Sequence, residues 1–313
     1  MTPKRYRPCI LATCCVPWNE RLEFDEATFR RSVRHQIASG LRDLYVFGTA
    51  GEGYAVTESQ FDAITQVFLD ETQIDGVQSM IGLISPSLPT VIERIERACV
   101  RGARRFQLSL PSWGVLNEAE VKTFFRETCG RFPDCEFLHY NLMRTGRLLT
   151  GAEYGRLAAE HPNLVATKNS TADGDRLTSL MREAPQLQHF ITEGGYPFAA
   201  MLGECGFLIS YTSTNFARAR EFFDAGQKQD EARLATIAQD FPGLIAAFKE
   251  AVGDTAHIDG AYDKLFCRLH DPAFPLRLLP PYASVSDERF DRYQKQLQTN
   301  HPNWLPAAST AHG

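Results

Sequence analysis

No apolar run in this sequence approaches the roughly 18 residues that a membrane-spanning helix needs. Near the start, Arg5 and Arg7 are followed by only a short apolar stretch, too short for the core of a secretory signal. A cytoplasmic protein is therefore expected. The eight cysteines, Cys9, Cys14, Cys15, Cys99, Cys129, Cys135, Cys205 and Cys267, include no C-x-x-C pair, and no cysteine–histidine cluster has zinc spacing. They are expected to be mostly small buried hydrophobes, with Cys14-Cys15 the pair to inspect for reactivity. The eight histidines (His35, His139, His161, His189, His257, His270, His301 and His312) are scattered, which argues against a metal-dependent reaction; neither metal nor cofactor is expected. No G-x-G-x-x-G follows the first β-rich run, which argues against dinucleotide binding. Charge of one sign is also scarce. A formal net charge of −5 over 313 residues gives nucleic acid or an anionic membrane little to attract. Short repeats and low-complexity tracts are missing too.

What is present is an ordinary globular balance, 43% hydrophobic and 23% charged, in a chain long enough to bury a large core. Short β-rich runs alternate with amphipathic stretches. The strands are predicted at Cys9–Cys15, Leu44–Phe47, Ser79–Leu83, Arg105–Ser109, Glu136–Tyr140, Leu164–Lys168, His189–Thr192 and Phe207–Tyr211. Strands alternating with helices imply βαβ units and a parallel sheet. The first helix opens on the acidic turn Asp25-Glu26 and ends at Gly40, a C-cap glycine. Thr57-Glu58-Ser59-Gln60 matches a capping box and starts a helix through Leu69. Further helices are predicted at Leu88–Val100, Asn117–Cys129, Thr150–Glu160 and Asn215–Gly226. The pattern fits a (β/α)8 barrel over residues 1–228, with an open doubly wound sheet as the alternative. After Tyr211 no β-rich run appears. Asp230–Val252, Thr255–Leu269 and Ser286–Thr299 read as extra helices, giving a C-terminal helical region, 229–313, packed on the barrel; the tail Pro306–Gly313 is expected to be disordered.

Barrels place their chemistry at the C-terminal ends of the strands, so the polar residues that close each strand matter most. Lys168 closes the otherwise apolar run Leu164-Val165-Ala166. An ammonium facing into a barrel is costly and lowers its own pKa, and such a lysine attacks carbonyl carbon to give an imine. The alternative is a solvated lysine just past the strand end. Tyr140 ends the neighbouring strand and could move protons in the same cavity, or be a core tyrosine with a satisfied hydroxyl. The Gly48–Gly53 loop could hold a carboxylate on its backbone amides, and Thr49 could relay protons to Tyr140. Arg144 could pair with a second substrate carboxylate, or be a surface arginine. His139 alternates with Tyr140 and should face the other way, as a structural residue.

These pieces, in this order, resemble the dihydrodipicolinate synthase / N-acetylneuraminate lyase family. The family pattern is a G-T/S-T-G-E loop after strand two, Y-N-x-P-x-R-T-G after strand five and a lysine on strand six. Here they read Gly48-Thr49-Ala50-Gly51-Glu52, Tyr140-Asn141-Leu142-Met143-Arg144-Thr145-Gly146 and Lys168, and Cys15-Val16-Pro17-Trp18 echoes the family's V-T-P-F start. The resemblance implies a lyase in which Lys168 forms a Schiff base with pyruvate or another 2-oxo acid, Tyr140 is the acid/base and Thr49 the relay. It implies substrate contacts from Ala50, Gly51, Arg144, Trp113, Gly194 and Ile209, and a homo-oligomer, tetramer or dimer. Three departures stand out. Ala50 replaces the loop's second hydroxyl residue, Trp113 stands where the synthase has its relay tyrosine, and the arginine loop is one residue shorter and lacks its proline. A tryptophan N–H donates but cannot shuttle a proton as a phenol does. Aldol cleavage or condensation, or dehydration of a 2-oxo acid, is therefore preferred over 4-hydroxy-tetrahydrodipicolinate synthesis. A degenerate barrel that binds a 2-oxo acid without turning it over is the alternative of another class.

Overall fold

The computed structural model describes residues 5–253 and 258–306. Thr255, His257, His312 and all of the predicted tail beyond Pro306 lie outside the described residues. The strands are β1 (Ile10–Thr13), β2 (Asp43–Val46), β3 (Gln78–Gly82), β4 (Arg105–Leu108), β5 (Glu136–Asn141), β6 (Leu164–Asn169), β7 (Gln188–Ile191) and β8 (Gly206–Leu208). Each pairs in parallel with the next, and β8 returns to β1, closing the barrel. The helices are α1 (Glu26–Ala38), α2 (Glu58–Thr72), α3 (Leu88–Val100), α4 (Glu118–Phe125), α5 (Gly151–Glu160), α6 (Gly174–Glu183), α7 (Tyr196–Leu202) and α8 (Phe216–Gln227), then α9 (Glu231–Ala238), α10 (Phe241–Val252), α11 (Asp259–His270) and α12 (Asp287–Asn300). This is the (β/α)8 barrel with a C-terminal helical extension that the alternation predicts. Among the described residues no helix is long and apolar enough to cross a membrane.

The local signals act as read. Thr57 and Gln60 form a reciprocal capping box at the start of α2, and Gly40, at φ +89°, ends α1 in the left-handed conformation that a Cβ disfavours. Three spans differ. The single helix expected over Asp230–Val252 is two, because Pro242 cannot donate to the preceding turn and its ring would strike the carbonyl of Ala238. The eighth strand stops at Leu208, and Tyr211–Thr214 forms a 3-10 turn. Helix α4 passes into a π turn over Arg126–Gly130.

Side-chain alternation divides the core. One apolar layer lies between strands and helices. A second fills the barrel itself, with Leu11, Tyr45, Met80, Leu138, Ala166, Phe190 and Leu208 among its members. On β5 and β6 the inward positions continue upward from Leu138 and Ala166 to Tyr140 and Lys168, which are register partners. His139 faces the helices, 2.7 Å from the Tyr154 hydroxyl, and burial drops its imidazole to about 3. It is a structural residue, as its alternation predicts.

The C-terminal extension is locked onto the barrel by a buried ion pair. Glu52, from the loop after β2, accepts from Lys264 of α11 at 2.5 Å, from the Trp18 indole at 2.8 Å and from the Leu279 amide at 2.7 Å. Lys264 also donates to the Arg277 carbonyl. The acidic residue that closes the Gly48–Glu52 motif therefore sets the position of α11 over the barrel mouth. Gly260 allows the close approach, since a Cβ there would lie 3.3 Å from the Ala50 carbonyl.

Candidate active site

Strand β6 delivers Lys168 to the top of the barrel interior, where it is 5% exposed. Its Nζ donates to the Tyr45 hydroxyl at 2.9 Å and lies over two rings, 4.0 Å from the Tyr140 centroid and 4.6 Å from that of Tyr45. Aromatic faces and an accepting hydroxyl favour the ammonium, yet burial wins: the amine is lowered to about 8, with Asp259 and Asp263 partly opposing the drop. A fraction of the lysine is therefore a neutral nucleophile near neutrality. Burial also pushes the Tyr140 phenol up, assisted by Asp259, so it stays protonated and able to donate.

Around Lys168 is a cavity of about 70 Å³, walled by Thr13, Tyr45, Ala50, Tyr140, Ile209 and Asp263 among others. That is small beside the ~300–1,000 Å³ of a drug-sized ligand site and suits a compact acid. It adjoins an outer cavity of about 500 Å³ that shares Tyr140, Ser170, Asp259 and Tyr262 and adds Arg144 and Arg176. Arg144 donates to Asp259 at 3.0 Å.

Of the residues expected from sequence, Lys168, Tyr140, Ala50 and Ile209 meet in the inner cavity, and Arg144 stands in the outer one. Thr49 is separate: its buried hydroxyl has no partner among the described residues, and it lines a third cavity of about 130 Å³ that it shares with Arg144. Gly51 is packed rather than open, because a Cβ there would sit 2.7 Å from the Phe47 nitrogen. Gly194 faces Ala172 and lines none of these cavities. Trp113 is 95% exposed on the loop after β4 and is not brought to Lys168.

Sequence reading missed Tyr45 and the acidic face of α11. Tyr45 was legible in principle, since it occupies an inward position of β2 in register with Thr13. Asp259, Tyr262 and Asp263 have the i, i+3, i+4 spacing that puts polar groups on one helical face. Nothing local indicates that this face covers the barrel mouth; the Glu52–Lys264 pair decides that. At the end of β7, Glu193 is also buried, accepting from the Ser210 and Thr212 amides at 2.7 and 3.1 Å, and so fixes the turn after β8.

The Dihydrodipicolinate synthetase family matches residues 8–299. The chain belongs to this family. Among curated relatives, a 4-hydroxy-tetrahydrodipicolinate synthase of Thermus thermophilus is 30% identical over 166 residues, covering 52% of this chain and 55% of that protein. The Methylobacterium radiotolerans synthase is 26% identical over 245 residues, 78% of this chain and 73% of its own. With relatives such as the Exiguobacterium sibiricum and Thermus synthases, the chain spans only 57% and 55% of their length. Solved structures share the fold as well. A prophage protein of the dihydrodipicolinic acid synthase family from E. coli K12, in complex with pyruvate, has a TM-score of 0.81 at 18% identity, covering 93% of this chain and 98% of that one. Proteus mirabilis N-acetylneuraminate lyase has a TM-score of 0.82 at 16% identity, covering 94% and 98%.

Proposed function

We propose that this family member is a lyase that holds pyruvate, or the pyruvate-like end of a longer 2-oxo acid, as an imine on Lys168. The observation that carries the reading is a buried lysine of lowered pKa, set between two tyrosines in a cavity of about 70 Å³ at the C-terminal end of the barrel. The neutral amine attacks the substrate C2, and loss of water gives an iminium that withdraws electrons from C3. A C3–C4 bond can then break or form, or a hydroxyl can leave from the carbon beyond. Tyr140 is the acid/base that moves the proton between nitrogen and oxygen.

The loop after β2 is the proposed carboxylate holder. Its turn is closed by Glu52 N–H to Thr49 C=O at 3.1 Å and Gly53 N–H to Gly48 C=O at 3.3 Å. Among the described residues this leaves the Ala50 and Gly51 amides without a backbone acceptor. The rest of a longer substrate would occupy the outer cavity with Arg144. Thr49 as relay, and Gly194 and Trp113 as contacts, require a movement toward Lys168 on substrate binding.

A cytoplasmic homo-oligomer completes the reading. All eight cysteines are free thiols, which suits a reducing compartment. Trp113, Val115 and Met143 expose apolar surface on adjoining loops, a surface suited to a second copy. The test is consumption of a panel of 4-hydroxy-2-oxo acids, followed by proton NMR, which sees both cleavage to pyruvate and loss of water. Turnover by the wild type and background rates for Lys168→Ala support the reading; equal rates for the two proteins contradict it.

A further inference from the structure

Asp263 stands in the Lys168 cavity, and the imine chemistry of Lys168 and Tyr140 leaves it without a role. It lies one turn beyond Asp259 on α11 and is 7% exposed. It approaches the cavity from α11 of the C-terminal extension, whereas Tyr45 and Tyr140 reach it from the sheet. With Thr13 and Ile209 it also walls a second cavity of about 380 Å³, so it stands between a space the size of a small acid and a larger one beside it. Tyr140 presents its ring face to Nζ at 4.0 Å and Tyr45 is engaged as hydrogen-bond acceptor. The α11 side of the cavity therefore presents a carboxyl, that of Asp263, to the space around Lys168.

We propose that Asp263 is a second acid–base residue of this site, acting on substrate atoms on the α11 side; this rests on the imine reading of Lys168. Burial, then the neighbouring Asp259 and Cys267, raise its carboxyl well above the usual range, while Lys168 works against them. With Lys168 as the free amine that opposing charge is absent, and in this proposal Asp263 enters the cycle carrying a proton. Glu193 from the end of β7, Cys15 from the segment after β1, and Tyr45, Tyr140 and Tyr262 around the cavity are further titratable groups that face it.

The steps balance. Tyr140 moves the proton from nitrogen to oxygen as the carbinolamine forms. Asp263 gives its proton to the carbinolamine hydroxyl; the C2–O bond breaks, water leaves with the bonding pair, and the nitrogen lone pair closes the iminium. The Asp263 carboxylate then removes a C3 proton, and the C–H pair becomes the C2=C3 bond of a neutral enamine. Asp263 is again an acid. The released water has the larger cavity on the far side of Asp263 to enter.

Exchange of the pyruvate methyl protons in D2O, followed by proton NMR, reads this step without any acceptor substrate. Borohydride trapping on the same samples reports whether the imine itself still forms. Asp263→Asn is expected to trap pyruvate on Lys168 and to exchange about 100-fold more slowly, both below and above the Lys168 value of about 8. Asp263→Ala leaves room for a small carboxylate, and added formate is expected to restore exchange, which a structural defect would not allow. If Asp263→Asn exchanges at the wild-type maximal rate with its profile merely moved to lower pH, Asp263 is only a counter-ion and the proposal falls. Failure of formate to rescue a folded Asp263→Ala also overturns it. A wild type that traps no pyruvate overturns the imine reading itself.

Discussion

Lys168 on β6 and Tyr45 on β2 face each other across the barrel, joined by a 2.9 Å hydrogen bond from Nζ to the phenol oxygen. Tyr45 is itself buried, and burial raises its phenol, so at neutral pH its oxygen is an uncharged acceptor. An accepted hydrogen bond favours the ammonium over the amine. The rate of imine formation in the wild type is expected to rise with pH through about 8, where Lys168 loses its proton. Tyr45→Phe removes the acceptor and should move that rise to lower pH. Trapping rates measured as a function of pH check both statements, and a rise displaced upward in the variant would contradict them.

Lys168 is held at a cost to stability. Its folded value of about 8 lies below the ordinary 10.5, so between these two the unfolded chain binds the proton that the folded chain has lost, and stability rises with pH. Below that window the folded protein carries a buried ammonium. Lys168→Met is expected to be more stable than wild type at neutral pH by up to ~3 kcal/mol, taking ~1.4 kcal/mol for each pH unit that separates the folded and unfolded values. The melting temperature should rise by a few degrees, and the gain should fade as the pH is raised through the window. Thermal melts at several pH values test this.

The motif residue Glu52 is predicted to matter for stability through α11. Lys264→Met leaves Glu52 buried without its ion-pair partner, and one-sided removal of a buried pair costs about 3–5 kcal/mol. Glu52→Gln combined with Lys264→Met should recover much of that loss. Urea unfolding of the single and double variants measures it; additive losses would show that the pair is not coupled.

The eight strands, the barrel and the inward-facing position of Lys168 were legible in the sequence because each rests on a local pattern. Period-2 alternation assigns Lys168 and Tyr140 to one face and His139 to the other. The cap at Thr57 and the stop at Gly40 are chemical signals within one turn. The acidic side of the cavity was not legible, because Asp259 and Asp263 enter it only through a contact between residues 52 and 264. Loop conformation was equally out of reach. The resemblance implies a relay from Thr49 to Tyr140, whereas Thr49 lines the neighbouring cavity and Trp113 stands in solvent. Pro242 divides a helix that hydrophobic spacing alone would continue.

Trp113, 95% exposed, Met143, 75%, and Val115, 65%, are expected to be covered by a second copy. Sedimentation velocity should show an oligomer for the wild type and a lighter species for Met143→Asp combined with Trp113→Ser. A wild type that sediments as a monomer at every concentration would contradict the oligomer and leave the Lys168 chemistry untouched.

The assignment of Lys168 as the imine-forming residue is tested most simply by borohydride reduction in the presence of pyruvate, read by intact mass and peptide mapping. A mass gain of one reduced pyruvate imine is predicted, mapped to Lys168 and absent from Lys168→Ala. An adduct on another lysine, or equal trapping by Lys168→Ala, would contradict it.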